Sequence, residues 1–292
     1  MMGKAAVEQI VSRAGELPAI PGIVSDVMNL TADPNVSISD VSKLIERDPV
    51  MTSRLLKLSN SAYYGMRQVV GTLKLALVIL GVREVRNIVV GISALEVLRD
   101  EDTEFLLGER GLWAHSVLVG GIAKKLAADL QLSLQGEDFI AGLLHDIGKL
   151  LLWKQLGSEY KELYERVEEE ELCLYTAEEE AFGFNHADVG GALATSWNLP
   201  VSLISALELH HSVSAQALLD GAAPKLSALV RIANLAAHDD FAREAADPPA
   251  SCMDDDAWQL LDVPGRRLEL NTRWKILSGI RDELKGMPLL SL

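Results

Sequence analysis

Apolar residues recur along this chain three and four positions apart, as at Val41, Leu44 and Ile45 or at Leu55, Leu56 and Leu58. No long stretch alternates with the period of two that a half-buried strand requires, so the pattern predicts an all-α fold. Punctuation between the periodic stretches is clear: Pro18 and Pro21, Asp33-Pro34, Asp48-Pro49, Gly65, Gly71, Gly81 and Pro200. Ser37 followed by Asp40 reads as a helix start. Ser59, Asn60 and Ser61 read as a cap leading into a turn at Tyr63, Tyr64 and Gly65.

Residues 72–98 are rich in Leu, Ile and Val but interrupted by Arg83, Glu84 and Arg86, a mixture suited to helices packed between two lobes. The polar, acidic stretch 101–109 is the preferred boundary. The expected organisation is an N-terminal helical lobe over 1–102, a histidine-bearing helical lobe over 103–240 and a C-terminal helical extension over 241–292. The charge runs 168–171 and 178–180 read as solvated helix faces, and 245–256, with Pro248, Pro249 and three consecutive aspartates, as an exposed loop.

Composition narrows the function. With 292 residues, 49% of them hydrophobic, the chain can bury a full core. A formal net charge of -15 opposes direct nucleic-acid binding, which draws its affinity from clustered Lys and Arg. The two cysteines, Cys173 and Cys252, stand far apart and form no Cys-x-x-Cys pair, which fits a reducing cytoplasm. Lys4, Glu8, Arg13 and Glu16 interrupt any apolar leader. Residues 69–82 are too short for a bilayer and carry Lys74. The expectation is a cytoplasmic protein with no membrane span.

All six histidines fall between His115 and His238. In Phe139-Ile-Ala-Gly-Leu-Leu-His-Asp-Ile-Gly-Lys-Leu-Leu-Leu152, read as one helix, apolar residues surround His145 and Asp146 on nearly every side. Burying a carboxylate there costs several kcal/mol unless a cation or strong hydrogen bonds compensate it. Imidazole with carboxylate is the usual ligand set of Zn, Mn and Fe, and neighbouring helices can complete it. His186 opens a helix after Phe182-Gly-Phe-Asn185, His210 and His211 close the one begun near Pro200, and His115 lies in the one begun near Trp113. His115, His145, Asp146, His186, His210 and His211 are therefore the metal-site candidates. The alternative is a set of core histidines bonded to backbone carbonyls. His238, beside Asp239 and Asp240, reads as a surface residue.

In this order, His115, His145-Asp146, His186 and His210-His211, the chain resembles the HD superfamily of metal-dependent phosphohydrolases. Leu17-Pro-Ala-Ile-Pro21, Ile45-Glu-Arg-Asp-Pro49, Leu55-Leu-Lys-Leu-Ser-Asn-Ser-Ala-Tyr-Tyr-Gly65 and Ala76-Leu-Val-Ile-Leu-Gly81 further resemble the HDOD branch, from about Leu17 to His211. The resemblance implies an HD-like multi-helix bundle with an N-terminal helical lobe packed on it. It also implies a bacterial role in signal transduction, acting through signalling proteins or a small phosphorylated ligand. One or two divalent ions (Fe, Mn or Zn) would occupy the site.

The resemblance places Asn234, in Val230-Arg-Ile-Ala-Asn-Leu-Ala236, where the superfamily has its last aspartate ligand. Ser212-Val-Ser-Ala-Gln stands where the cyclic-di-GMP phosphodiesterase branch has Gly-Tyr-Pro. Three readings follow: a regulatory module without catalysis, a phosphohydrolase in which Lys149 helps hold a phosphate beside His145 and Asp146, and a di-iron oxygenase.

Overall fold

The computed structural model describes residues 2–13, 22–33, 35–60, 64, 69–98, 111–134, 136–212, 224–238, 250–261 and 268–284, which form helices joined by turns and short irregular connections, with no strand among them. The motif at 17–21, most of the 61–65 turn, the 101–109 boundary and the segment after Ser212 lie outside these residues. Helix α1 spans Met2–Arg13, and with α2 (Gly22–Thr31), α3 (Ile38–Ile45), α4 (Pro49–Ser59), α5 (Leu73–Leu80) and α6 (Val82–Leu98) falls in the stretch expected as the N-terminal lobe. The stretch expected as the histidine lobe holds α7 (Leu112–Asp129), α8 (Asp138–Leu144), α9 (Ile147–Leu156), α10 (Ser158–Glu169), α11 (Leu174–Phe182), α12 (His186–Ser196), α13 (Val201–Leu209) and α14 (Pro224–His238). Then follow α15 (Ala250–Met253), α16 (Asp255–Leu260) and α17 (Leu270–Leu284).

Local chemistry starts these helices where the punctuation predicts. Ser37 caps α3 by accepting from the Asp40 N–H, and Asp48 caps α4 by accepting from Met51 with Pro49 in the first turn. Asn60 closes α4 and reaches across its turn, donating to the Leu56 and Val70 carbonyls while accepting from the Val70 N–H. Its role is structural, as expected.

One buried apolar cluster runs from Val7 through to Leu284. Helix α6 carries the N-terminal lobe onto α8 and α9, and α1 packs on α12 and α9. Across this seam Lys124 of α7 meets Glu84 of α6 at 2.9 Å, and Asn87 donates to the Gly136 carbonyl at 2.9 Å. Of the expected exposed loop 245–256, residues 245–249 lie outside the described residues and the remainder differs from the expectation. Residues 250–253 and 255–260 are helical, and Ser251 and Cys252 are fully buried, because α15 and α16 pack on α14.

The segment expected to be one helix through His145 is two. α8 ends at Leu144, α9 begins at Ile147, and His145-Asp146 forms the corner between them. Glycines let the flanking helices come close enough to support it. A Cβ on Gly142 would sit 2.6 Å from the Gly120 Cα of α7, and one on Gly148 only 1.9 Å from the His186 carbonyl oxygen of α12. Both obstacles are backbone. Gly190, on the other side of the α9–α12 contact, would meet nothing closer than 3.5 Å.

Gly148→Ala is therefore expected to cost about 3 kcal/mol, since overpacking against backbone forces the helices apart. Gly190→Ala should be neutral or mildly stabilising through helix propensity. Urea unfolding midpoints of the two variants check the contrast; equal midpoints would contradict the packing account.

Candidate metal centre

The six candidate residues converge. His145 closes α8, Asp146 precedes α9, His186 opens α12, His210 closes α13 with His211 next in the chain, and His115 sits in the first turn of α7. His145, Asp146 and His210 are fully buried and His186 nearly so, while His115 retains 19% of its side-chain exposure. Asp146 lies at the centre with its two oxygens facing different partners. Oδ2 is 3.2 Å from His145 Nε2, 3.7 Å from His115 Nε2 and 2.6 Å from Lys149 Nζ. Oδ1 is 3.2 Å from His186 Nε2 and 3.6 Å from His210 Nε2.

The opposite ring nitrogens fix which lone pairs face inward. His145 Nδ1 donates to the Gly142 carbonyl at 2.8 Å, and His210 Nδ1 to the Leu207 carbonyl at 2.7 Å. A carbonyl oxygen only accepts, so each Nδ1 carries the proton and each Nε2 offers a lone pair. Both carbonyls belong to helix ends, where no intrahelical N–H is available to them. His186 Nδ1 likewise donates to Glu178 Oε2 at 2.6 Å. His211 Nε2 lies 2.8 Å from His186 Nε2, so the two rings converge on one point.

Burial raises the Asp146 carboxyl, but the neighbouring imidazoles and the Lys149 ammonium outweigh it and hold it well below the usual carboxylate range. Burial and the neighbouring imidazoles push His115 and His211 down. His210, lowered chiefly by burial, falls to about 3. For His186 burial acts downward, yet Glu178 and Asp146 prevail and raise it.

Within this packed interior His145 Nε2, His210 Nε2 and Asp146 Oδ1 have no hydrogen-bond partner among the described residues. Buried polar atoms left unpaired are costly and rare. Three inward-facing acceptors with no donor fit a cation. Two donor groups meet the spacing for a metal, one of Asp146, His186, His210 and His211 and the other of His115, His145 and Asp146, with Asp146 common to both.

Neighbours of the centre both depart from the sequence reading and add to it. Glu178, expected on a solvated face, is wholly buried: it accepts from the His186 N–H at 2.9 Å and His186 Nδ1 at 2.6 Å, and from the Tyr160 hydroxyl at 2.5 Å. The signal was its place on the apolar stripe of α11, beside Ala177 and four residues from both Leu174 and Phe182. Orienting a ligand histidine through a carboxylate in this way is a common feature of metal sites. Lys149, read as a phosphate-holding residue, turns onto Asp146 itself, donating to Oδ2 at 2.6 Å. His238 is exposed as expected, yet its ring lies 4.5 Å from that of His115, at the rim of the centre. Asn234 is buried with Oδ1 3.0 Å from His115 Nε2, on the helix where a last ligand was sought.

A cleft of about 300 Å³ opens beside the centre, lined by His115, Asp146, Lys149, Tyr160, Tyr164 and His238 together with Gly111 and Leu112. Among the described residues no helix is long and apolar enough to cross a membrane.

Comparison with known proteins agrees with this architecture. The family model for the HDOD domain matches residues 17–213. An uncharacterized protein of Treponema pallidum is 29% identical over 205 residues, 70% of this chain; the chain spans only 39% of that relative's length. The crystal structure of an HDOD domain protein of unknown function from Geobacter sulfurreducens superposes with a TM-score of 0.74 at 24% identity, covering 99% of both chains. A provisionally named phosphohydrolase from Shewanella amazonensis gives 0.68 at 23%, covering 94% of both. At these identities the two structures establish the fold.

The buried imidazoles carry a pH dependence. Below about 6.5 the unfolded chain protonates at histidine, whereas the folded chain holds His210 neutral down to about 3. Stability of the chelator-treated protein should therefore fall as pH drops through that window, His210 alone costing roughly 2 kcal/mol by about pH 5. His115 and His211 act in the same direction and the raised His186 opposes them. Urea titrations at a series of pH values check this; a flat profile between these limits would refute the buried, neutral assignment.

Proposed function

Because this chain belongs to the HDOD domain family, we propose that it is a bacterial signal-transduction module whose buried histidine–aspartate centre binds divalent metal and presents it to a small phosphorylated ligand in the adjoining cleft. The observation that carries this reading is the set of inward, unpartnered acceptors around Asp146. Buried acceptors of this kind call for a donor or a cation, and the convergence of imidazole with carboxylate favours the cation. His186, His210, His211 and Asp146 would hold one ion, and His115, His145 and Asp146 a second, with the carboxylate between them. Zn, Mn or Fe suits a donor set dominated by imidazole.

The chain's own groups have defined parts. Glu178 keeps the His186 proton on Nδ1, leaving Nε2 to the centre, and the Gly142 and Leu207 carbonyls do the same for His145 and His210. Lys149 and Tyr164 line the cleft, where an ammonium and a phenol suit phosphate oxygens. Signalling proteins are the expected partners of the module as a whole.

A second reading, phosphohydrolysis, is favoured by one observation: the cleft reaches Asp146 itself, so a ligand there touches the centre. Bound metal would supply Lewis acidity and a water of lowered pKa. Against turnover stands Asn234, a neutral amide in place of a carboxylate, facing His115. The provisional naming of the Shewanella amazonensis protein as a phosphohydrolase is consistent with either reading.

Elemental analysis of natively purified protein is expected to find at least one Zn, Mn or Fe per chain, and His145→Ala and Asp146→Ala are expected to lose it. Metal-free native protein, or full occupancy in both variants, would sink the metal reading. Robust metal-dependent hydrolysis of phosphate esters, abolished in both variants, would replace the regulatory reading with the enzymatic one.

A further inference from the structure

We propose that Arg231 is a positioning residue that ties the C-terminal helices to the His210-His211 turn, so that the ligand geometry of the centre depends on how α16 is docked. The inference rests on reading these histidines as metal ligands. α13 ends at Leu209, and the carbonyls of its last turn and of the residues after it lack intrahelical donors. Arg231, from the middle of α14, supplies them: Nη1 donates to the His211 carbonyl at 2.6 Å and lies 3.4 Å from that of His210. The other edge of the same guanidinium is held from outside, with Nε donating to Asp254 Oδ2 at 2.5 Å.

Asp254 is itself anchored. Its second oxygen accepts from the Ala257 N–H, capping α16. One carboxylate thus starts α16 and orients Arg231, and one planar cation spans α16 and the ligand turn. Both side chains are largely shielded, at 24% and 15% exposure, so solvent screening does not dissolve the pair. A lysine cannot reproduce this, because it lacks the rigid fork that lets two edges bond in fixed directions. Asp254 lies beyond the family match at 17–213, so the tether joins a ligand turn inside the matched domain to a helix outside it.

A ligand turn held in this way sets the depth of His210 Nε2 directly, since that ring is already locked to the Leu207 carbonyl on its own backbone. Outer contacts of this kind usually change metal affinity by ten- to a hundredfold.

The test uses the full-length chain and measures Zn²⁺ affinity by competition with a chromophoric chelator, with the Co²⁺ d–d spectrum as a report on ligand geometry. Asp254→Ser keeps a capping hydroxyl but is too short to reach Arg231, and Arg231→Lys keeps the charge without the fork. Each is expected to weaken Zn²⁺ binding about tenfold and to alter the Co²⁺ spectrum. Arg281→Met, which removes a C-terminal contact to the Ala236 carbonyl of α14 away from the turn, is expected to leave both readouts unchanged. Wild-type affinity in Asp254→Ser and Arg231→Lys would overturn the tether while leaving the metal reading intact. An equal loss in Arg281→Met would overturn it in favour of general docking, and no Zn²⁺ binding by the native chain would remove both readings together.

Discussion

A carboxylate almost wholly shielded from water stands at the middle of this molecule, and much of the histidine lobe is arranged around the problem it poses. Isolated, the Asp146 charge would cost several kcal/mol of desolvation, a sizeable part of the margin by which a domain of this size is stable. Lys149 meets one of its oxygens at 2.6 Å, but the other faces only imidazole nitrogens. The folded chain therefore concentrates lone pairs at one point and leaves them without donors. Such an arrangement would be completed by a cation.

The geometry that makes the point possible is inexpensive in sequence. His145 and His210 each stand at a helix end and bond back to a carbonyl three residues earlier, so a free acceptor of the helix terminus is satisfied by the same contact that aims Nε2 inward. The corner at His145-Asp146 survives because Gly120, Gly142 and Gly148 remove the side chains that would hold α7, α8, α9 and α12 apart. Helix packing and ligand orientation are in this sense one constraint. A methyl group at Gly148 presses on the carbonyl of His186, itself one of the inward-facing residues.

Helical periodicity, capping residues and the clustering of histidines made the all-α class, most element starts and the six converging side chains legible in the sequence. What escaped reading had a common cause: each depended on a partner distant along the chain. The break after Leu144 is invisible to periodicity, since α8 and α9 are both apolar on nearly every side and their residues run on as though one helix continued. Glu178 was grouped with Glu179 and Glu180 by composition, but only it falls on the buried stripe of α11, where Tyr160 and His186 await it. The burial of Ser251 and Cys252 follows from α15 and α16 packing on α14, a contact across a sequence rich in proline and aspartate. The extent of the contact escaped too: described helices from 1–102 and 103–240, expected to pack together, contribute to one apolar cluster, with α1 lying on α9 and α12.

The amide of Asn234, where the family resemblance places a carboxylate, bears on what such a centre would attract. Asp146 is the one anionic group among the six converging side chains, and Glu178 is engaged behind His186. Neutral imidazoles contribute lone pairs without charge, so each dication bound there would leave a net positive centre, reinforced by Lys149. In a chain of net charge -15, that would be a local positive focus at the base of a cleft. Coulomb attraction in a shielded pocket is far stronger than in bulk water, so anions would be drawn to this point and away from the acidic exterior. An aspartate in place of Asn234 would cancel part of that charge while adding a ligand. On the proposed reading, the amide would trade some metal affinity for attraction of a negatively charged ligand to the cleft.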